Sequence, residues 1–237
     1  MNYEYYGSGP KTIVFLHGWG GGISSFKGVA DVLQDRYKVL NLDFAGFGES
    51  QPPDRPYSVE DYAKDVLELL NNLHIQDYYV VAHSFGGRVA IKMCAMGACI
   101  SKLVLVDSAG IKPRFSFVKW IKIRWYKLIK FLVKLRILSI KHLDKYGSMD
   151  YKKLNGVMRD TFVKVVSEDL SADAKKVKCE TLLVWGEKDK DTPLYMAKKL
   201  NQCIKNSVII TINGVGHFSY LQKPRLFLNI LTEVFKE

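Results

Sequence analysis

Long apolar runs are missing from this 237-residue chain. No window long enough to cross a bilayer is free of charge, which excludes a transmembrane helix. The N-terminal stretch MNYEYYGSGPKT has neither a basic n-region nor an apolar h-region, so no signal peptide is expected. Cysteine is sparse. Cys94, Cys99, Cys179 and Cys203 form no CxxC pair and no histidine cluster accompanies them, so no metal site is expected. Free thiols in a reducing cytoplasm are the expectation. The 7 prolines and 18 glycines are too few for a fibrous or disordered chain, and there is no repeat and no low-complexity tract.

What is present is an ordinary globular balance, 48% hydrophobic and 25% charged. It is enough to bury a sizeable core in one domain. Short aliphatic runs recur, each followed by a turn and a helical pattern. Strands are predicted at Thr12–Leu16, Lys38–Leu42, Tyr78–Ala82, Lys102–Val106, Thr181–Trp185 and Ser207–Ile212. Runs such as TIVFL, KLVLV and TLLVW are apolar on both faces, as strands covered by helices on both sides must be. Helices are predicted at Ile23–Gln34, Ser58–Leu73, Gly86–Met96, Pro193–Gln202 and Lys223–Phe235. Ser58 and Asp61 have capping-box spacing, and Pro193 and Pro224 suit first turns. This alternation predicts an α/β fold with a doubly wound, mostly parallel sheet.

One segment breaks the alternation. Residues 111–177 contain no strong strand and read as a helical insertion, leaving 1–110 and 178–237 as the core. Charge marks the same segment. Residues 111–178 hold 18 Lys+Arg against 6 Asp+Glu, whereas the rest of the chain holds 17 against 18. The net charge of +11 therefore belongs to the insertion, a candidate for meeting something acidic.

Three polar residues stand just beyond predicted strand ends, the edge where open α/β sheets bind ligands. After YYVVA comes His83-Ser84-Phe85-Gly86-Gly87 and then a helix, a sharp turn with serine at its apex. Such a turn needs small residues two before and two after the serine, here Ala82 and Gly86. A serine becomes a nucleophile only beside a base. His217, in Gly214-Val215-Gly216-His217-Phe218, follows the last strand and can point across the sheet. Asp189, in the loop after TLLVW, can accept the His217 Nδ1 hydrogen and fix its tautomer. Asp191 is a near competitor and Asp107 a more distant one. After TIVFL, the loop His17-Gly18-Trp19-Gly20-Gly21-Gly22 offers backbone donors. The N–H groups of Trp19 and Phe85 are the expected oxyanion hole. A phosphate loop is not read here, because neither GxxxxGK[ST] nor GxGxxG is present.

These motifs together resemble the α/β-hydrolase fold superfamily over nearly the whole chain. HGWGG resembles its oxyanion motif and AHSFGG its nucleophile elbow, with Ala82 where the first glycine is usual. Asp43-Phe44-Ala45-Gly46-Phe47-Gly48-Glu49-Ser50 resembles its DxxGxGxS loop, GEKDKDTP its acid loop and GVGHFSYLQKP its histidine loop. The resemblance implies Ser84 as nucleophile, His217 as base and Asp189 rather than Asp191 as acid. It implies no cofactor, a small-molecule acyl substrate, abbreviated antiparallel strands at the N-terminus, and a lid-like cap at 111–177. His17, Gly18, His83, Trp120 and Phe218 are the candidate substrate contacts.

The expected reaction is hydrolysis of a carboxylic ester through an acyl-enzyme. Relatives with the same three residues also cleave carbon–carbon bonds or prolyl peptides, and fold does not choose among them. A non-catalytic binding protein on the same scaffold is the alternative from another class. In the cap, Lys119, Lys127, Lys130, Lys134 and Lys141 fall within about 80° on a helical wheel. That pattern reads as a solvated face over an apolar one, or as a surface for peripheral contact with anionic membrane. No nucleic-acid motif is present. Oligomeric state is not legible.

Overall fold

The computed structural model describes residues 1–113 and 154–236 and, between them, residues 121, 124–127, 129, 131, 133 and 135. Trp120 and four of the five wheel lysines, Lys119, Lys130, Lys134 and Lys141, lie outside the described residues.

Seven strands form one sheet: β1 (Tyr3–Gly7), β2 (Thr12–Leu16), β3 (Lys38–Leu42), β4 (Tyr78–His83), β5 (Ile100–Val106), β6 (Glu180–Gly186) and β7 (Ser207–Ile212). Their order is β1-β3-β2-β4-β5-β6-β7. β1 runs antiparallel to β3, and every other neighbouring pair is parallel. All six strands predicted from sequence form, within two residues of their expected bounds. The antiparallel β1 was not among them. Four of its five residues are exposed, so it carries no apolar run to read.

The helices whose bounds lie among the described residues are α1 (Lys27–Leu33), α2 (Val59–Asn72), α3 (Phe85–Ala95), α4 (Gly156–Ser167), α5 (Ser171–Ala174), α6 (Leu194–Cys203), α7 (Ser219–Gln222) and α8 (Pro224–Val234). A short 3-10 turn, Ile23–Ser25, opens the first helical stretch. At the start of α2 the Ser58 hydroxyl accepts the Asp61 amide while the Asp61 carboxylate accepts the Ser58 amide. That reciprocal cap satisfies two donors that a helix start otherwise leaves open.

Alternate side chains along each strand enter two separate cores. Val14, Leu16, Val80, Ala82, Leu103, Leu105, Leu183 and Trp185 pack with α2, α3 and α6 on one face. Ile13, Phe15, Val81, Val104, Val106 and Val184 pack with α1 and α8 on the other. Burial on both faces explains why these strands read as unbroken apolar runs. Each fully buried Leu, Val or Phe contributes about 1.5–3 kcal/mol, so the two faces of the sheet carry the core. From the segment between β5 and β6, Met158 and Val165 of α4 and Leu170 and Ala174 join the first core. The Thr161 hydroxyl of α4 also accepts the Tyr57 amide.

The sequence from Asp43 to Ser50 ties the loops at the strand ends. The Asp43 carboxylate accepts the amide of Ile23 at 2.7 Å, the amide of Glu49 at 3.0 Å and the Asn2 side-chain amide at 2.8 Å. The Ser50 hydroxyl donates back to the Asp43 carbonyl. Burial alone would raise the Asp43 pKa, but these donors hold it below the usual carboxylate value. Asp43→Ala leaves two backbone donors and the Asn2 amide without their acceptor, and we expect it to cost about 2–4 kcal/mol. In the parent protein the Asp43 contribution is complete above the unfolded carboxylate pKa and is lost as pH falls through the depressed folded value. Urea unfolding of the two proteins from pH 7 down to pH 3 checks both expectations.

Candidate functional site

The chain order reverses between β2 and β4, and the C-terminal ends of these strands flank the crevice where a doubly wound sheet binds ligands. Ser84 occupies the turn from β4 into α3 with φ 49°, a region non-glycine residues rarely enter. Its backbone is held on both sides. The Ser84 amide donates to the Val106 carbonyl at 3.0 Å, and the Ser84 carbonyl accepts the amides of Ala109 and Gly87 at 3.0 and 3.1 Å. The turn closes because Gly86 has no side chain: a Cβ there would collide with the carbonyl oxygen of Leu16. Ala82, where a second glycine is usual, is fully buried and its methyl is accommodated in the core.

His217 follows β7, and its imidazole bridges two partners. Nε2 lies 2.9 Å from Ser84 Oγ and Nδ1 lies 2.9 Å from Asp189 Oδ2. A carboxylate only accepts, so Nδ1 carries the hydrogen and Nε2 presents its lone pair to the serine hydroxyl. Burial works against charge on His217, but the hydrogen bond and negative charge of Asp189 raise its pKa above the ordinary 6.5. The reciprocal effect is seen at Asp189. Burial would raise its pKa, and the bonds from His217 and Thr192 lower it.

Asp189, not Asp191, is therefore the carboxylate on the imidazole. The Asp191 amide instead donates to Asp189 Oδ1 at 2.8 Å. Thr192 was not singled out from sequence, yet its amide and hydroxyl both donate to the Asp189 carboxylate. Only the loop's folded path brings Thr192 back over Asp189. The third acid weighed from sequence, Asp107, is fully buried. It accepts the Gly186 amide at 2.7 Å and the Ser219 hydroxyl and amide at 2.6 and 3.2 Å. Burial pushes its pKa up to about 6 despite those donors. It ties the loops after β6 and β7 together.

Trp19 lies in the loop after β2, and Phe85 is the first residue of α3, where helical amides have no internal acceptor. Neither backbone N–H donates to another described residue. The loop sits directly against the serine turn, since a Cβ on Gly18 would lie 2.7 Å from His83 Nδ1 and 3.4 Å from Ser84 Cβ. The Trp19 ring packs edge-on against Phe85 and Phe47, with centroids 5.2 and 4.8 Å away, and meets Phe162 of α4 at 5.0 Å.

A cleft of about 1210 Å³ opens over these groups, and Gly18, Trp19, Ser84, Phe85, His217 and Phe218 are among the residues that line it. Phe218 is 48% exposed at its rim. His83 borders the cleft but is 2% exposed. Its Nε2–H donates to the His217 carbonyl at 2.8 Å, so it positions the histidine loop. Burial, and then the neighbouring His217, push its pKa down to about 3. The expectation that His17 touches substrate is corrected here. His17 is 1% exposed and does not border the cleft. Its Nδ1–H donates to the Gly18 carbonyl and its Nε2 accepts the Phe44 amide, joining two loops, and burial drives its pKa down to about 4. Trp120 lies outside the described residues.

Ligand atoms of Asp189, Asp191 and His217 fall within 4.8 Å of one another. A cation there would have to displace bonds already made, because both Asp189 oxygens accept hydrogens from the protein. Among the described residues, no helix is long and apolar enough to cross a membrane.

Comparison with known proteins agrees with this architecture. A Bacillus subtilis protein named uncharacterized hydrolase YugF is 28% identical over 99% of this chain and 93% of its own length. Among solved structures, an esterase from Exiguobacterium antarcticum superposes with a TM-score of 0.76 at 21% identity, covering 98% of this chain and 93% of its own. A meta-cleavage product hydrolase from Pseudomonas fluorescens gives 0.74 at 20% identity, covering 99% and 93%. At these identities the two structures speak to the fold. The model of the alpha/beta hydrolase family matches residues 13–230, nearly the full length, and the chain belongs to that family.

Proposed function

We propose that this protein is a serine hydrolase that cleaves a carboxylic ester through an acyl-enzyme on Ser84. The observation that carries the reading is the pair of 2.9 Å contacts that link Ser84 Oγ to His217 Nε2 and His217 Nδ1 to Asp189 Oδ2 at a cleft. The Ser84 hydroxyl proton moves to His217 Nε2 as Oγ bonds to the carbonyl carbon, and the carbonyl electron pair moves onto oxygen. The amides of Trp19 and Phe85 receive that oxyanion, with Phe85 at the positive end of the α3 dipole. When the oxyanion collapses, the bond to the leaving oxygen breaks, and His217 returns its proton to that oxygen. Water then repeats the sequence on the acyl-enzyme, with His217 again as base. Asp189 keeps the imidazole in the tautomer that makes Nε2 the acceptor.

We expect Ser84→Ala to abolish both turnover of p-nitrophenyl butyrate and labelling by a fluorophosphonate probe. Full turnover in that variant would overturn the assignment. The pH dependence follows from the sign of the His217 shift. The reaction needs neutral His217, and Asp189 raises its pKa, so kcat/KM should fall as pH drops through an ionisation above 6.5. Asp189→Asn removes the charge and the tautomer lock. It should lower kcat by about 10³–10⁴-fold and move that ionisation to lower pH, both readable from one set of pH–rate profiles.

A further inference from the structure

Arg88 stands one turn into α3, four residues and about 6 Å of helix rise beyond Ser84. It is only 6% exposed, yet it borders the same cleft as Ser84. Its Nη1 donates to the Glu168 carbonyl oxygen at 2.8 Å. That is its single hydrogen bond among the described residues, and it forms no ion pair there. The nearest acids, Glu168 and Asp169, favour its charge through space but make no ion pair with it, because their carboxylates are engaged by other donors. The Glu168 carboxylate pairs with Lys92 at 2.9 Å, and the Asp169 carboxylate accepts the Ser171 amide at 2.8 Å.

A guanidinium has five N–H donors in a planar fork that matches a carboxylate. Among the described residues one of them is used. Buried cations are ordinarily paired, because an uncompensated charge away from water is costly. Burial lowers the Arg88 pKa to about 10, which leaves it charged at neutral pH. Part of the cleft lining is apolar, Ala109, Ile111, Val165 and Met196 among it. A charge in such surroundings attracts an anion far more strongly than it would in water.

We propose that Arg88 is the specificity residue of this cleft, and that the substrate is an ester whose acyl part ends in a carboxylate. The acyl chain lies along the apolar wall while its carboxylate takes the free donors of Arg88, placing the ester carbonyl at Ser84. The proposal rests on the hydrolase reading for the ester bond but not for the anion site, so the two are tested separately.

The probes are monomethyl glutarate and its neutral diester, dimethyl glutarate, titrated calorimetrically into the Ser84→Ala protein. The monoester anion should bind about 10- to 100-fold more tightly, and Arg88→Met in the same background should remove that preference. Equal affinity for the two probes, or a preference that survives Arg88→Met, overturns the proposal. Should Arg88→Met fail to fold, Arg88→Lys decides. A point charge without the planar fork should keep the monoester preferred but weaken its binding, and unchanged affinity for the monoester overturns the assignment. Fluorophosphonate labelling of the Ser84 protein reports on the nucleophile alone. Loss of labelling with a retained anion preference would remove the hydrolase reading and leave the anion site standing.

Discussion

The site depends on one strained reversal. Ser84 holds a backbone angle that an L-residue adopts at a cost of about 1–3 kcal/mol, and what it gains is position. The hydroxyl is lifted off the end of a fully buried strand while the chain turns at once into a helix. The conformation survives because three backbone hydrogen bonds grip it and because Gly86 lets α3 approach the carbonyl end of β2. The same approach brings the amides of Phe85 and of the Gly18–Trp19 loop to one place. A larger residue at 86 would displace the helix, the amides and the serine together.

Around that turn the loops are cross-linked by buried carboxylates. Asp43 gathers the amides of Ile23 and Glu49, Asp107 those of Gly186 and Ser219, and Asp189 those of Asp191 and Thr192. Each anion satisfies backbone donors that would otherwise be buried without a partner. The sheet thus fixes where the strands end, and the carboxylates fix what the loops do beyond those ends. Three histidines stand in this framework and differ in charge preference. His17 and His83 are buried without a carboxylate on the ring and stay neutral. His217 alone has its Nδ1 on a carboxylate, which pulls its pKa the opposite way. The group suited to accept and return a proton is distinguished by that contact rather than by residue type.

The parallel strands were legible in the chain because burial on both faces leaves continuous aliphatic runs. The serine turn, the His217 loop and the Asp189 loop were legible because a turn chemistry repeats at each strand end. The exposed strand β1 was expected only from the family resemblance and not from a pattern of its own, since its pairing with β3 rests on backbone hydrogen bonds that have no side-chain signature.

By itself the sequence determined which residue types stand beyond each strand and in what chain order. Those are local matters of side-chain size, hydrogen-bonding capacity and periodicity. Tertiary structure alone decided that Thr192 folds back over the Asp189 carboxylate, that His17 is spent on joining loops, and that Arg88 borders the cleft with most of its donors unused among the described residues. The reason is physical. A polar group's role depends on which partners remain within 3 Å once distant loops have packed, and separation along the chain carries no record of that distance.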